Sequence, residues 1–100
     1  MPLTGKLHTG TGAAVSLSTV GIPASFKRLD VMANDNNSAD AFIGGSTVAA
    51  NGATDAWVQL VPGKSWTTGV AGKGDLHSID TANVYIIAAS DDLIHFVVYQ

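Results

Sequence analysis

The chain contains no cysteine and no glutamate, and it carries few charges of either sign. Without cysteine there is neither a disulfide nor a thiolate metal centre, so an apolar core or a partner must hold the fold together. The lack of cysteine also suits a reducing cytosol better than secretion. All eight acidic residues are aspartate, which favours turns and caps where glutamate would favour helices. Charged residues make up 13% of the chain and the net charge is −3. That leaves no basic face to neutralise phosphates, so no nucleic acid is expected as a partner. The longest apolar run, Val84 to Ala89, is far too short to cross a bilayer. The first residues lack the apolar core of a signal peptide, so no membrane partner is expected either.

What is present is valine, isoleucine, threonine and glycine, the composition of strands joined by tight turns. A length of 100 residues allows one domain. Residues 1–12 read as a flexible N-terminal arm with Leu3 and Leu7 as apolar anchors, and residues 13–100 as a single β-sandwich domain. The expected fold is all-β: an antiparallel β-sandwich or jelly-roll-like barrel of about seven to nine short strands with little or no helix.

Strands are expected at Ala13–Val20, Lys27–Ala33, Ala39–Ile43, briefly around Thr47–Ala49, then at Trp57–Val61 and Lys64–Thr68. The clearest alternation places Leu29, Val31 and Ala33 on one face and Arg28, Asp30 and Met32 on the other. Asn51-Gly52 marks a turn, and Pro62-Gly63 predicts a type II turn. Gly69, Gly72 and Gly74 make a connection, and Asp75 to Asp80 reads as one capped helical turn. The last two strands, Asn83–Ala89 and Leu93–Tyr99, are expected to form a hairpin across Ser90-Asp91-Asp92.

Both faces of that hairpin are apolar. Val84, Ile86 and Ala88 alternate with Tyr85, Ile87 and Ala89, while Ile94, Phe96 and Val98 alternate with Leu93, His95, Val97 and Tyr99. A sandwich strand ordinarily wets one face, so the second must be covered, by the chain's own loops or by another subunit. With the apolar anchors of the arm and the two tryptophans that flank the Pro-Gly turn, this gives a candidate interface of Leu3, Leu7, Trp57, Trp66, Tyr85, Ile87, His95, Val97 and Tyr99.

No catalytic pattern emerges. Pro62-Gly-Lys-Ser65 resembles the tail of a phosphate loop, but Val58 stands where its first glycine belongs. Gly10-Thr-Gly12 lacks the third glycine of a dinucleotide fingerprint. His8, His77 and His95 are too far apart for ligand spacing. The loop at Asp35 lacks the glycine and closing glutamate of a calcium loop, and Asp35, Asp40, Asp91 and Asp92 read as solvated turn residues. Asn36-Asn37-Ser38 fits a glycosylation sequon, which carries little weight without a secretory signal. No catalytic, cofactor-binding or metal residue is assigned, no cofactor is expected, and the chain reads as a non-enzyme.

The order Leu29-Asp-Val-Met-Ala-Asn34, Phe42-Ile-Gly-Gly-Ser-Thr-Val48, Leu60-Val-Pro-Gly-Lys-Ser-Trp66 and Val84-Tyr-Ile-Ile-Ala88 resembles small β-rich virion proteins of tailed bacteriophages, of the head-decoration or cement type. The likeness spans roughly Ala13 to Tyr99; the stretches from Ala49 to Ala56 and from Gly69 to Gly74 fall outside the shared pattern. The resemblance implies a structural β-sandwich, a homo-oligomer and most simply a homotrimer, seated on the major capsid protein at the virion surface after assembly in the host cytoplasm. A carbohydrate- or receptor-binding module of a tail or fibre is the alternative, and a head–tail neck component a third.

Overall fold

A computed structural model describes residues 3–23, 26, 28–68 and 81–99. Eight strands form two antiparallel four-stranded sheets. They are β1 (Leu3–Thr9), β2 (Val15–Ser16), β3 (Arg28–Ala33), β4 (Ala41–Gly44), β5 (Ala56–Leu60), β6 (Ser65–Thr68), β7 (Tyr85–Ile87) and β8 (Leu93–Tyr99). One sheet runs β1-β8-β3-β6 (sheet A), the other β2-β7-β4-β5 (sheet B). The chain is nested: β1 pairs β8, β2 pairs β7, β3 pairs β6 and β4 pairs β5. That winding is a jelly roll, so the expected all-β sandwich is the observed architecture.

Nesting corrects the expected terminal hairpin. β7 lies in sheet B and β8 in sheet A, and among the described strands only β4 and β5 follow one another within one sheet. Ser90-Asp91-Asp92 is a turn that crosses between layers, closed by Asp92 N–H to Ala89 O at 3.0 Å, with Asp91 left-handed at φ 70°. Val61-Pro-Gly-Lys64 does the same between β5 and β6. It is the expected type II turn, with Gly63 at φ 83° and Lys64 N–H bonded to Val61 O at 2.8 Å, the left-handed third position being why glycine stands there.

Three other expectations change. The arm is not free, because Leu3–Thr9 is a strand in unbroken register with Leu93–Tyr99. The first expected strand breaks after Val15–Ser16, because Ser16 caps a single helical turn, α1 (Leu17–Val20), by accepting the Thr19 N–H. Gly21 ends that turn in the left-handed conformation and bonds back to Leu17 and Ser18. A serine N-cap and a glycine C-cap outweigh the short run of alternation. The stretch around Thr47–Ala49 is turn rather than strand. The glycine-rich connection and the helical turn expected near Asp75 lie outside the described residues.

The main core fills the space between the sheets: Leu29, Val31 and Ala33 from β3, Ile94, Phe96 and Val98 from β8, facing Ala41, Ile43, Leu60, Val84 and Ile86. Leu17 from α1 and Ile22 close one end. A smaller cluster of Phe42, Val48 and Ile87 lies apart from it, where residues 45–55 fold back over the outer side of sheet B. That loop is tied by Gly45 N–H to Asp55 O and Ala49 N–H to Thr54 O, both at 3.1 Å, and by the Thr47 hydroxyl to the Asp55 carboxylate at 2.9 Å. Gly52, at φ 73° against the Phe42 ring, has no room for a side chain.

One buried charge pins the loops at the end of the sandwich. Asp92 is almost fully buried and its carboxylate accepts from Ser38 N–H at 2.8 Å, Ala39 N–H at 3.2 Å and the Ser38 hydroxyl at 3.0 Å. Beside it, the Asn37 side-chain amide bonds both Leu93 O and Leu93 N–H, mimicking a neighbouring strand. Replacing Asp92 with alanine strands two backbone donors, and is expected to lower stability by about 2–4 kcal/mol in denaturant titration. Asp92→Asn, which keeps an acceptor, should lose clearly less.

Candidate interaction face on sheet A

The outer face of sheet A gathers what alternation on β8 turns away from the core. With Ile94, Phe96 and Val98 inward, Leu93, His95, Val97 and Tyr99 point out, each half-buried. Register then places Leu3 beside Tyr99, Gly5 beside Val97, Leu7 beside His95, and Arg28, Asp30 and Met32 on the other flank. Leu3 is 60% exposed, Leu7 54% and Met32 45%. Leucine, methionine, valine and tyrosine thus share an apolar stripe across β1, β8 and β3, with His95 between Leu7 and Met32 and with Asp30 and Arg28 on its β3 flank. Single exposed apolar residues are ordinary; a contiguous patch marks a contact surface.

A polar cluster borders the stripe. The Asp30 carboxylate accepts from Arg28 Nε at 3.0 Å, the Thr67 hydroxyl at 2.8 Å and the Tyr99 hydroxyl at 3.0 Å. The Arg28 guanidinium lies 4.8 Å from the centre of the Tyr99 ring. Partial burial alone would raise the Asp30 carboxyl, but the hydrogen bonds from Thr67, Arg28 and Tyr99 outweigh it and hold it below its ordinary 3.8. The Arg28–Asp30 pair is solvent-accessible and adds little to stability by itself. Its role is to satisfy the polar groups of this face, which leaves the apolar atoms to dominate. A shallow depression of about 360 Å³ runs between Asp30, Met32, Thr67 and Val97.

The nine candidate interface residues divide. Leu3, Leu7, His95, Val97 and Tyr99 converge on this one face. Tyr85 and Ile87 lie on the outer side of sheet B, where the chain's own 45–55 loop covers them: Ile87 is buried with Phe42 and Val48, and Tyr85 packs against that cluster. Trp66, opposite Val31, packs against the main core. Trp57 stands apart at the bulge in edge strand β5 and is 49% exposed. Met32 and Leu93 belong to the face and were not among the candidates. The alternation of Lys27–Ala33 had already turned Met32 outward, and that was the signal for it.

His8 and His95 do not meet. His95 lies on the outer face within 3.4 Å of the Asn34 amide, His8 points inward from β1, and His77 lies outside the described residues. No group of three or more metal-ligating side chains comes together among the described residues, and no helix among them is long and apolar enough to cross a membrane. Comparison with protein-family models, with curated proteins and with solved structures finds no match to this chain.

His8 is buried, with its Nε2 lacking a hydrogen-bond partner among the described residues, and that burial lowers its pKa from the ordinary 6.5. The neutral ring is favoured in the folded chain, so the unfolded chain binds its proton first. Stability is therefore expected to fall as pH drops below about 6.5 and to level off below the folded value. Asp30 acts in stronger acid: its contribution is complete above the unfolded carboxylate value and is lost as pH falls through the lowered folded value. Thermal melts across pH 3–7 should show the first slope vanish in His8→Phe and the second in Asp30→Asn.

Proposed function

We propose that this protein is a structural virion component of a tailed bacteriophage, a decoration or cement protein that associates with sister copies and binds the major capsid protein through the outer face of sheet A. The observation that carries this reading is the apolar stripe of Leu3, Leu7, Met32, Val97 and Tyr99, on a face where Asp30, Arg28, Thr67 and the Tyr99 hydroxyl are already paired with one another. A ligand or substrate needs convergent free polar groups; a protein surface needs shape and apolar area. The resemblance described above points the same way. Jelly rolls occur in viral capsid and lectin domains alike, so the fold argues by analogy only. Copies bound side by side on a lattice gain avidity from each contact, so each needs only modest affinity.

The half-exposed Trp57 favours one second reading, a carbohydrate-binding module. It lies two residues from Gln59, whose amide is hydrogen-bonded to the Asp40 carboxylate, the kind of indole-plus-polar arrangement on which a sugar ring stacks.

Cryo-electron microscopy of the native particle separates these, together with a neck location: hundreds of copies over the head are expected for a decorator, a dozen or fewer for a neck ring. Val97→Lys places a charge in the centre of the stripe opposite Asp30. It should keep the β circular dichroism spectrum and lose binding to capsid shells by about tenfold or more. Unchanged shell binding in Val97→Lys, or quenching of Trp57 fluorescence by glycans with no shell binding, would overturn the decoration reading.

A further inference from the structure

The four sheet edges differ in how they are closed. β2 is two residues long, β5 carries a bulge and β6 has four residues. β1 has seven, runs without a bulge or proline, and pairs on one side only among the described residues. Edge strands are ordinarily protected by shortness, bulges, proline or charge. The one lysine of β1 does not guard its edge, because the Lys6 side chain lies along Gly21 at the end of α1.

The direction of the β1 main-chain groups follows from the ladders. Asn34 N–H bonds Leu93 O and Gly10 N–H bonds Asp92 O. Odd-numbered residues of β8 therefore address β3, and even-numbered ones address β1. In β1 the even residues bond β8, so Leu3, Gly5, Leu7 and Thr9 aim their N–H and C=O groups at the open edge. The same residues carry the two most exposed leucines among the described residues.

We propose that this edge binds a second copy of the same chain, β1 against β1 about a two-fold axis at Gly5, making one continuous sheet β6-β3-β8-β1-β1-β8-β3-β6. The occupant follows from self-complementarity. With Gly5 on the axis, Leu3 faces Leu7 of the second copy and the reverse, and each of these pairs and the central one can exchange both N–H···O bonds. Thr4 then lies opposite Lys6. A two-residue slide that moves the axis to Lys6 would set two ammonium stems at the closest cross-strand spacing, which is unfavourable. Space at Gly5 is open, with nothing within 4 Å of a side chain there, so the two backbones approach without obstruction. Apolar outer faces join into a surface twice as wide, on the side proposed above to meet the capsid. The pairing itself does not depend on that reading.

The test uses the full chain in solution, without particles. Sedimentation velocity at high micromolar concentration is expected to show a dimer, or an even-numbered assembly of dimers. Gly5→Pro removes an N–H that β8 does not use, and edge strands tolerate proline at such a position. It is expected to keep the β spectrum and to weaken self-association by about tenfold or more. Because the chain has no cysteine, single substitutions report the register directly: Gly5→Cys should form an intermolecular disulfide under mild oxidation, its partner lying within bridging distance, while Thr9→Cys should not. A monomeric wild type, a trimer that Gly5→Pro leaves intact, or equal cross-linking of the two cysteine variants overturns the proposal. If Gly5→Pro does not fold, the cysteine pair decides. Loss of particle binding with the dimer intact would instead count against the virion reading alone.

Discussion

Strand β8 hydrogen-bonds to a strand on each side, β1 and β3, and because side chains alternate along it, that double pairing fixes both faces of sheet A at once. Ile94, Phe96 and Val98 are committed to the core. Leu93, His95, Val97 and Tyr99 have nowhere to go but outward, and the neighbouring strands align Leu3, Leu7 and Met32 with them. A shift of β8 by one residue would exchange the two sets. The burial of Phe96 and the exposure of the apolar stripe are thus one constraint seen from two sides.

The two sheets solve the problem of a second apolar face differently. Sheet B covers its outer side from within the chain: the loop over residues 45–55 lays Val48 onto Phe42 and Ile87, and Gly52 lets it approach the Phe42 ring. Sheet A has no such cover among the described residues. Its outer polar groups bond one another, with Asp30 gathering Arg28, Thr67 and Tyr99. At the end of the sandwich, Asp92 and Asn37 hold the β3–β4 loop against the start of β8, which keeps the register of that strand from slipping.

Local signals carried the individual strands well and their partners poorly. The alternation over Lys27–Ala33 gave β3 with its inward and outward sets, and Pro62-Gly63 gave its turn type. The terminal hairpin failed because a three-residue connection is as able to cross between layers as to reverse within one, and nothing in Ser90-Asp91-Asp92 distinguishes the two. The arm failed because Leu3, Gly5 and Leu7 look sparse alone and become a strand only when β8 supplies the hydrogen bonds. The candidate interface had the same character. Five of its residues share a face because pairing brings β1 to β8, whereas Trp66 turned inward because its register partner is Val31, a relation between strands far apart in sequence.

The nesting of the strands also sets when this chain can fold. β1 has no partner until β8 has been made, and β2 waits in the same way for β7, so neither sheet can be completed before its late strand exists. Sandwiches dominated by such distant pairings fold slowly. Their apolar strands stay uncovered in the meantime and are open to misassociation. The most aggregation-prone interval therefore comes before β7 and β8 have found β2 and β1, when the shortness of the apolar runs and the aspartate-bearing turns limit misassociation.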